Sequence, residues 1–400
     1  MMEDAGLAIE GLVAPGFEAV RGAFAANFAE RHEVGAAFAA YVDGVKVADL
    51  WAGEARPGTP WSESTLCPVW SATKGATALV AQILAGRGQL DVDAPVARYW
   101  PEFATNGKAA ITVRDVLTHG AGVPTWEGYR DLLTIDAGDG WGDLEAIVTA
   151  LAGAKTAWEP GTKHGYHAVT FGWLVGEVVR RLTGAGLGEV FRAEVAEPLG
   201  LDFWIGLPPA EHGRVADMLP APPPDDPEIA VAMAALMGPD SLTGRALFVG
   251  PDGGLDNAAA LSNAAAFRAA EVPAANGITD ARSLARMYAM LAAGGELDGV
   301  RIVSPQSIAA HAREQYRGPD VLLHAEKRYA LGYMRPCPPA EEFGPNDEAF
   351  GHPGMGGSLG FADPAARVGF GYVMNQMMPG IQVDPRARAL ADALYASLRG

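Results

Sequence analysis

A serine and a lysine three residues apart, Ser71 and Lys74, are the pair in this sequence best suited to nucleophilic chemistry. On a helix, side chains three residues apart lie on one face and reach each other. A serine hydroxyl becomes nucleophilic when a neighbouring base takes its proton, and a lysine can be that base if desolvation lowers its pKa. The pair therefore predicts a nucleophile, Ser71, activated by Lys74.

The alternative for this pair is a helix-capping serine beside a surface lysine. Ten serines and six lysines in 400 residues would give about 0.15 Ser-x-x-Lys pairs by chance, and one is present. An apolar helix is expected from Ala76 to Ala85, which places Lys74 in buried surroundings that lysine rarely occupies. At a helix start, Ser71 also lies beside free backbone N–H groups, which favour an oxyanion.

Two further segments carry residues of the same chemistry. Tyr166 follows a Pro-Gly turn and precedes an apolar helix; a tyrosine there can shuttle a proton, although a structural helix-capping tyrosine is the alternative. Residues 351–358 (GHPGMGGS) hold four glycines in eight positions, which lets the backbone approach a substrate closely. There the N–H groups can complete an oxyanion hole and His352 can hydrogen-bond a substrate carbonyl; a glycine-rich bend with a structural histidine is the alternative.

Residues 71–74 (SATK), 166–168 (YHA) and 352–354 (HPG) resemble, in order and rough spacing, three motifs of the serine β-lactamase and penicillin-binding-protein superfamily. The likeness is greatest to its family VIII carboxylesterase branch and extends from about residue 16 to residue 398. Stretches between the motifs, such as residues 90–101 and 117–124, also resemble that branch. The motifs taken together are far more specific than any one of them.

The resemblance implies a double-displacement reaction without metal or cofactor. Ser71 attacks an ester carbonyl while Lys74 and Tyr166 manage its proton, and water then cleaves the acyl-enzyme. The backbone N–H groups of Ser71 and Met355 hold the oxyanion. The substrate-binding residues that the resemblance implies are His352, Gly354 and Met355.

Two departures from the superfamily's motifs narrow the predicted substrate. The second motif often ends in Asn, where this chain has Ala168, and the third begins with Lys in true β-lactamases, where this chain has His352. Since that lysine helps to bind the carboxylate of the drug, we expect cleavage of small, short-chain carboxylic esters. A β-lactamase or D-alanyl-D-alanine peptidase-like enzyme and a non-catalytic binding module of the same fold remain alternatives.

Other candidate residues are predicted to be structural. Ser358 lies in a G-x-S-x-G pattern, but a nucleophile elbow needs a strand before the serine and a helix after it, and glycines precede Ser358 here. His164 and His167 lack the three or four ligands that a zinc site requires. Three aromatic side chains are candidates for the pocket, although such residues more often belong to the core: Trp126, Tyr129 and Trp204.

Composition excludes several classes of partner. The net charge is −18, from 48 acidic and 30 basic residues, and no Lys/Arg run suits nucleic acid or an anionic membrane. The acidic start lacks a signal peptide's basic region, no apolar run of about 18 residues suggests a membrane span, and two cysteines make no disulfide framework. We expect a cytoplasmic protein with a small-molecule substrate; oligomeric state is not predicted.

The order of predicted elements indicates an α+β fold. Strands at 36–42 and 45–51 joined by Asp43-Gly44 form a hairpin, and further strands are expected near the chain end at 329–334, 358–362 and 368–374. Helices dominate the middle, strand signals are sparse before about residue 245, and residues 220–227 are a proline-rich loop. We predict one antiparallel sheet, built from N- and C-terminal segments, in a discontinuous domain of residues 1–66 and 275–400. A mainly helical domain of residues 67–274 is inserted, with the active site in the cleft between the two.

Overall fold

The computed structural model describes residues 7–134, 137–222, 228, 231, 235–238, 240–247, 257–380 and 382–399. Within these ranges it confirms the α+β fold with antiparallel sheets. Of the predicted proline-rich loop, residues 220–222 have no regular structure, and residues 223–227 lie outside the described residues.

The main sheet joins the two ends of the chain in the order β1-β3-β2-β14-β13-β12, with β4 paired to β3. The strands of the described residues are β1 (Glu10–Val13), β2 (Gly35–Val42), β3 (Val45–Arg56), β4 (Thr59–Pro60), β5 (Cys67–Pro68), β6 (Phe203–Ile205), β7 (Gly277–Thr279), β8 (Glu296–Leu297), β9 (Val300–Arg301), β10 (Tyr316–Asp320), β11 (Ala325–Tyr329), β12 (Phe350–Pro353), β13 (Leu359–Asp363) and β14 (Val368–Met374). At the junction, β14 runs antiparallel to β2, with Val368 opposite Val42 and Met374 opposite Ala36. The prediction of one sheet built from both chain ends is confirmed.

The helices occupy mainly the middle of the chain, as predicted. Those of the described residues are α1 (Glu18–Glu30), α2 (Thr73–Gly86), α3 (Val113–Leu117), α4 (Tyr129–Leu132), α5 (Leu144–Gly153), α6 (Thr170–Thr183), α7 (Leu187–Phe191), α8 (Glu197–Leu199), α9 (Leu242–Ala246), α10 (Asn257–Asn263), α11 (Ala265–Ala269), α12 (Ala281–Ala292), α13 (Pro305–Ala312) and α14 (Pro385–Ser397). A π-helical turn, Arg192–Ala196, joins α7 to α8. No helix in the described ranges is both long enough and apolar enough to cross a bilayer.

Strand β14 shows how the sheet is covered on both faces. Side chains alternate along a strand, so Gly369 and Gly371 face one side while Phe370 and Tyr372 face the other. A Cβ on either glycine would overlap backbone atoms of α12, so these glycines let that helix pack directly on the sheet. On the other side, the Tyr372 hydroxyl joins a polar cluster that includes Arg386 of α14. The sheet is therefore buried between α12 and the layer that contains α14.

The strand predicted at 329–334 is wrong in its position. β11 ends at Tyr329, and the chain then turns through Gly332, whose φ is +82°. A Cβ on Gly332 would come within 2.6 Å of Ala78 in α2, so a close approach to that helix stops the strand.

β12 and a short three-stranded sheet were not predicted. Residues 350–353, predicted as part of a glycine-rich loop, form β12 at the sheet edge. A short sheet of order β5-β7-β6 also lies outside the predicted pattern, because strands of two or three residues have no readable alternation. β5 and β7 pair Cys67 with Thr279 immediately beside the predicted domain boundaries. The division into residues 1–66 with 275–400 and 67–274 stays a prediction.

Candidate active site

Ser71 lies in a 3₁₀ turn, Trp70–Ala72, that leads directly into α2. Trp70 has a φ of +46°, a sharp backbone turn that begins the helix at this point. The Thr73 hydroxyl donates to the Trp70 carbonyl over 2.5 Å and accepts from the Gly277 N–H over 2.7 Å. The turn that carries Ser71 is therefore held to β7 by the hydrogen bonds of Thr73, the first residue of α2.

Lys74 is fully buried, and its Nζ contacts the Ser71 Oγ at 3.0 Å. The same nitrogen donates to the carbonyls of Ala168, at 2.6 Å, and Ala274, at 2.9 Å. Burial lowers the pKa of Lys74 well below the ordinary lysine value. A neutral amine has two N–H donors and one lone pair, so the two carbonyls use both donors and the lone pair is left for the Ser71 hydroxyl proton.

Tyr166 reaches the same serine from the loop before α6. Its hydroxyl lies beside the Ser71 side chain and 3.5 Å from the Nε2 of His352. The Lys74 Nζ lies 4.7 Å from the centre of the Tyr166 ring. Burial raises the pKa of Tyr166, so the phenol keeps its proton. The arrangement suits a proton donor rather than a base.

His352 lies on β12 and is buried. Its Nδ1 lies 2.6 Å from the carbonyl of Pro353, which can only accept, so Nδ1 carries the ring proton. Burial, with a smaller effect of Lys74, lowers the pKa of His352 well below the ordinary histidine value. The imidazole is therefore neutral, and its Nε2 presents a lone pair toward Tyr166.

The segment after His352 is a tight turn, Gly354 to Gly357, in which the Gly357 N–H donates to the Gly354 carbonyl over 3.1 Å. Gly356, the third residue, has a φ of +86°, which is typical of a type II turn and requires glycine. The Gly354 N–H donates to the Ser358 carbonyl over 2.7 Å, so it is satisfied within the protein. No hydrogen bond found among the described residues uses the N–H of Ser71 or of Met355.

Ser358, which the G-x-S-x-G pattern singled out, holds the turn against the nucleophile segment. It is buried, and its Oγ donates to the Val69 carbonyl over 2.8 Å. A Cβ on Gly354 would overlap both the Ser358 Oγ and the Val69 carbonyl oxygen, so glycine is needed at 354 for this close approach. Within the described residues no base contacts the Ser358 hydroxyl, which fits the prediction that it is structural.

A histidine that the motif analysis did not single out, His119, lies beneath Tyr166. Their ring centroids are 4.9 Å apart, and the His119 Nδ1 accepts from the His167 N–H over 3.1 Å. His167 itself accepts from the Val123 N–H and donates to the Gly165 carbonyl, which occupies both ring nitrogens. Burial lowers the pKa of His167 to about 3. These histidines form a neutral, hydrogen-bonded support for the Tyr166 loop.

The remaining predicted candidates lie apart from this chemistry. The His164 Nδ1 lies 2.7 Å from the Thr118 carbonyl, and its ring stacks on Tyr316. Trp126 and Tyr129 are buried in the hydrophobic core, whereas Trp204 is half-buried beneath the guanidinium of Arg192. Across the described residues, no group of three or more His, Cys, Asp or Glu side chains is placed to hold a metal ion.

An antiparallel sheet flanked by helices, with a serine and a lysine at a helix start facing a tyrosine and the sheet edge, is the arrangement of the serine β-lactamase fold. The model of the Beta-lactamase family matches residues 20–395. The chain belongs to this family.

Individual relatives agree with that assignment. The chain is 39% identical over 381 residues to the Esterase/beta-lactamase LipL of Mycobacterium tuberculosis, covering 94% of this chain and 85% of LipL. It is 41% identical to a family VIII carboxylesterase of known crystal structure, with a TM-score of 0.84 and coverage of 98% of this chain and 100% of the other. A penicillin-binding-protein homologue from Caulobacter crescentus is 39% identical, with a TM-score of 0.82 and coverage of 98% and 100%.

Proposed function

We propose that this chain is a carboxylesterase that cleaves short-chain esters through an acyl-enzyme on Ser71. The observation that carries the proposal is the buried Lys74 amine, 3.0 Å from the Ser71 Oγ, with two backbone carbonyls occupying its other hydrogen-bonding positions. Two relatives, LipL and EstB of Burkholderia gladioli, are named as esterases, which supports an ester as the substrate.

The first half of the reaction begins with proton transfer from Ser71 to Lys74. Neutral Lys74 accepts the hydroxyl proton as the Ser71 Oγ attacks the ester carbonyl, forming a tetrahedral oxyanion. The N–H groups of Ser71 and Met355 stabilise that oxyanion, and each has no other acceptor among the hydrogen bonds of the described residues.

The second half needs a proton for the leaving alkoxide and a water for the acyl-enzyme. Tyr166 keeps its proton because burial raises its pKa, so it can donate to the alkoxide as the C–O bond breaks. The proton on Lys74 then passes to the Tyr166 oxygen, restoring both groups. In deacylation Lys74 takes a proton from the attacking water and gives it to the Ser71 Oγ as the acyl C–O bond breaks, which releases the carboxylic acid.

The preference for small esters over β-lactams rests on charge and on size. His352 stands where β-lactamases carry a lysine, and its neutral imidazole offers no cation for the carboxylate of a β-lactam. Trp70 precedes the nucleophile and packs on Phe267, with ring centroids 6.1 Å apart. Because Trp70 is the chain neighbour of Ser71, we expect its ring to limit the length of acyl chain that the site accepts.

The test compares p-nitrophenyl acetate, butyrate and octanoate with nitrocefin, on the wild-type chain and on Ser71→Ala. We expect the highest kcat/KM for acetate or butyrate, and loss of all ester cleavage in Ser71→Ala. Ser358→Ala is the matched control, because it removes a second serine hydroxyl near the site without touching the Lys74 amine. Ester cleavage that survives in Ser71→Ala would overturn the proposal.

A β-lactam-cleaving enzyme is the second candidate, because the relative LipL is named an esterase/beta-lactamase. Nitrocefin turnover with a kcat/KM equal to that for esters favours this candidate. If neither the esters nor nitrocefin acylate the protein, the result favours the non-catalytic binding module.

A further inference from the structure

A buried arginine, Arg386, lies directly under the turn that follows His352. It is 1% exposed and belongs to the first turn of α14. A guanidinium has five N–H donors, and each has an acceptor here. Two bonds go to the carboxylate of Asp384, one to Glu33 and two to the backbone carbonyls of Gln376 and Gly356.

The partners of Arg386 come from separate parts of the fold. Glu33 follows α1, Asp384 caps the start of α14, and Tyr372 of β14 donates its hydroxyl to Glu33. Both carboxylates are buried, and burial raises the pKa of Glu33 to about 7. Such a cluster is weak evidence for stability, since desolvation of the ions offsets their attraction. Its fixed geometry can instead orient what it binds.

The cluster holds the turn that carries the Met355 N–H. Arg386 donates to the Gly356 carbonyl over 2.9 Å, on one side of Met355, and the Ser358 carbonyl accepts from the Gly354 N–H on the other side. A Cβ on Gly357 would lie 2.7 Å from the Arg386 Nη2 and 2.9 Å from the Asp384 Oδ2. The turn therefore rests on the guanidinium with no space between them.

We propose that Arg386 is a positioning residue for ester cleavage: its bond to the Gly356 carbonyl fixes the direction of the Met355 N–H toward the oxyanion. This inference rests on the proposed function, in which Met355 supplies half of the oxyanion hole. A donor that points away from the transition state loses catalytic effect while substrate binding is little changed.

The test uses Arg386→Lys and Asp384→Asn. Lysine keeps the positive charge but cannot make five directed bonds, and Asp384→Asn loosens the guanidinium while leaving Arg386 in place. We expect kcat to fall about tenfold to a hundredfold in Arg386→Lys with KM within about threefold of wild type. Asp384→Asn should show the same pattern with a smaller loss.

Tyr395→Phe is the control for general loosening of α14. Tyr395 lies on the same helix and donates its hydroxyl to buried Asp363, away from the turn. It should lower the melting temperature with kcat unchanged. Wild-type kcat in a folded Arg386→Lys, or an equal loss of kcat in Tyr395→Phe, overturns the inference.

A double-mutant cycle tests whether Arg386 acts through the Met355 N–H. Met355→Pro deletes this donor, and proline suits the second position of a type II turn. It also removes the methionine side chain, which packs against the core, so Met355→Ala, which keeps the N–H, is its control. If Arg386 acts through that donor, adding Arg386→Lys to Met355→Pro costs no further kcat; losses that multiply contradict the inference. Full activity in Met355→Pro or in Ser71→Ala instead shows that the proposed function itself is wrong.

Discussion

Replacing Lys74 by methionine tests the base of the proposed reaction. The side chains have similar length, so the change removes the amine that lies 3.0 Å from the Ser71 Oγ while filling the same buried space. A positioned general base contributes about 10² to 10⁴ in rate. No other base contacts the Ser71 hydroxyl among the described residues. We therefore expect kcat to fall by about 10² to 10⁴.

The chain contains a matched control for the loss of a buried lysine. Lys108 is also fully buried, but its Nζ donates to three backbone carbonyls, those of Thr105, Ala152 and Ala154. Three carbonyl acceptors require three N–H donors, so Lys108 is an ammonium with no lone pair to act as a base. Lys108→Met takes a donor from each carbonyl and leaves that of Ala154 with no other donor among the described residues, so it should lower the free energy of unfolding with kcat unchanged.

The assay is the kcat for p-nitrophenyl butyrate as a function of pH, with melting temperatures for each variant. The neutral amine is the active form, so activity should rise as pH rises through the lowered pKa of Lys74 and then level off. In Lys74→Met, kcat should fall and should no longer rise with pH over this range. A Lys74→Met enzyme within tenfold of wild type, or one that keeps the same pH dependence, refutes the assignment of Lys74 as the base.

Three further outcomes are expected. Ser358→Ala should keep kcat within about tenfold and lower the free energy of unfolding by about 0.5–1.5 kcal/mol, measured by urea denaturation, because the Val69 carbonyl loses one of its two donors and keeps the Ala72 N–H. His167, with a folded pKa of about 3 against an ordinary 6.5, binds its proton more readily when unfolded; stability should fall as pH drops from 6.5 to 3, and His167→Gln should make that melting-temperature slope shallower. Nitrocefin should be cleaved with a kcat/KM at least about tenfold below that for butyrate, since a missing charged hydrogen bond is worth at least this much.

The parts of the fold that were predicted correctly have strong local signals. The β2–β3 hairpin follows from two strand-like runs on either side of Asp43-Gly44, and α2 follows from an alanine-rich, mainly apolar run. The contact between the Ser71 and Lys74 side chains could be predicted because one helical turn brings them together, so their spacing in the sequence gives their distance in space.

The parts that were missed depend on contacts between distant residues. Arg386 and Glu33 are 353 positions apart, and no local pattern relates them. β12 contains glycine and proline, which obscure its strand character, and it forms because β13 pairs with it at the sheet edge. The proton state of Tyr166 was also beyond the sequence, because the pKa follows from complete burial rather than from its neighbours in the chain.

The central claim is that Ser71 carries the acyl group, and mass spectrometry of the acyl-enzyme tests it most directly. The chain is mixed with p-nitrophenyl butyrate, quenched in acid within the first turnover and digested. We predict a butyryl group on the peptide that contains Ser71 and none in Ser71→Ala. A butyryl group on another residue, Ser358 included, or an acylated Ser71→Ala enzyme, would contradict the account.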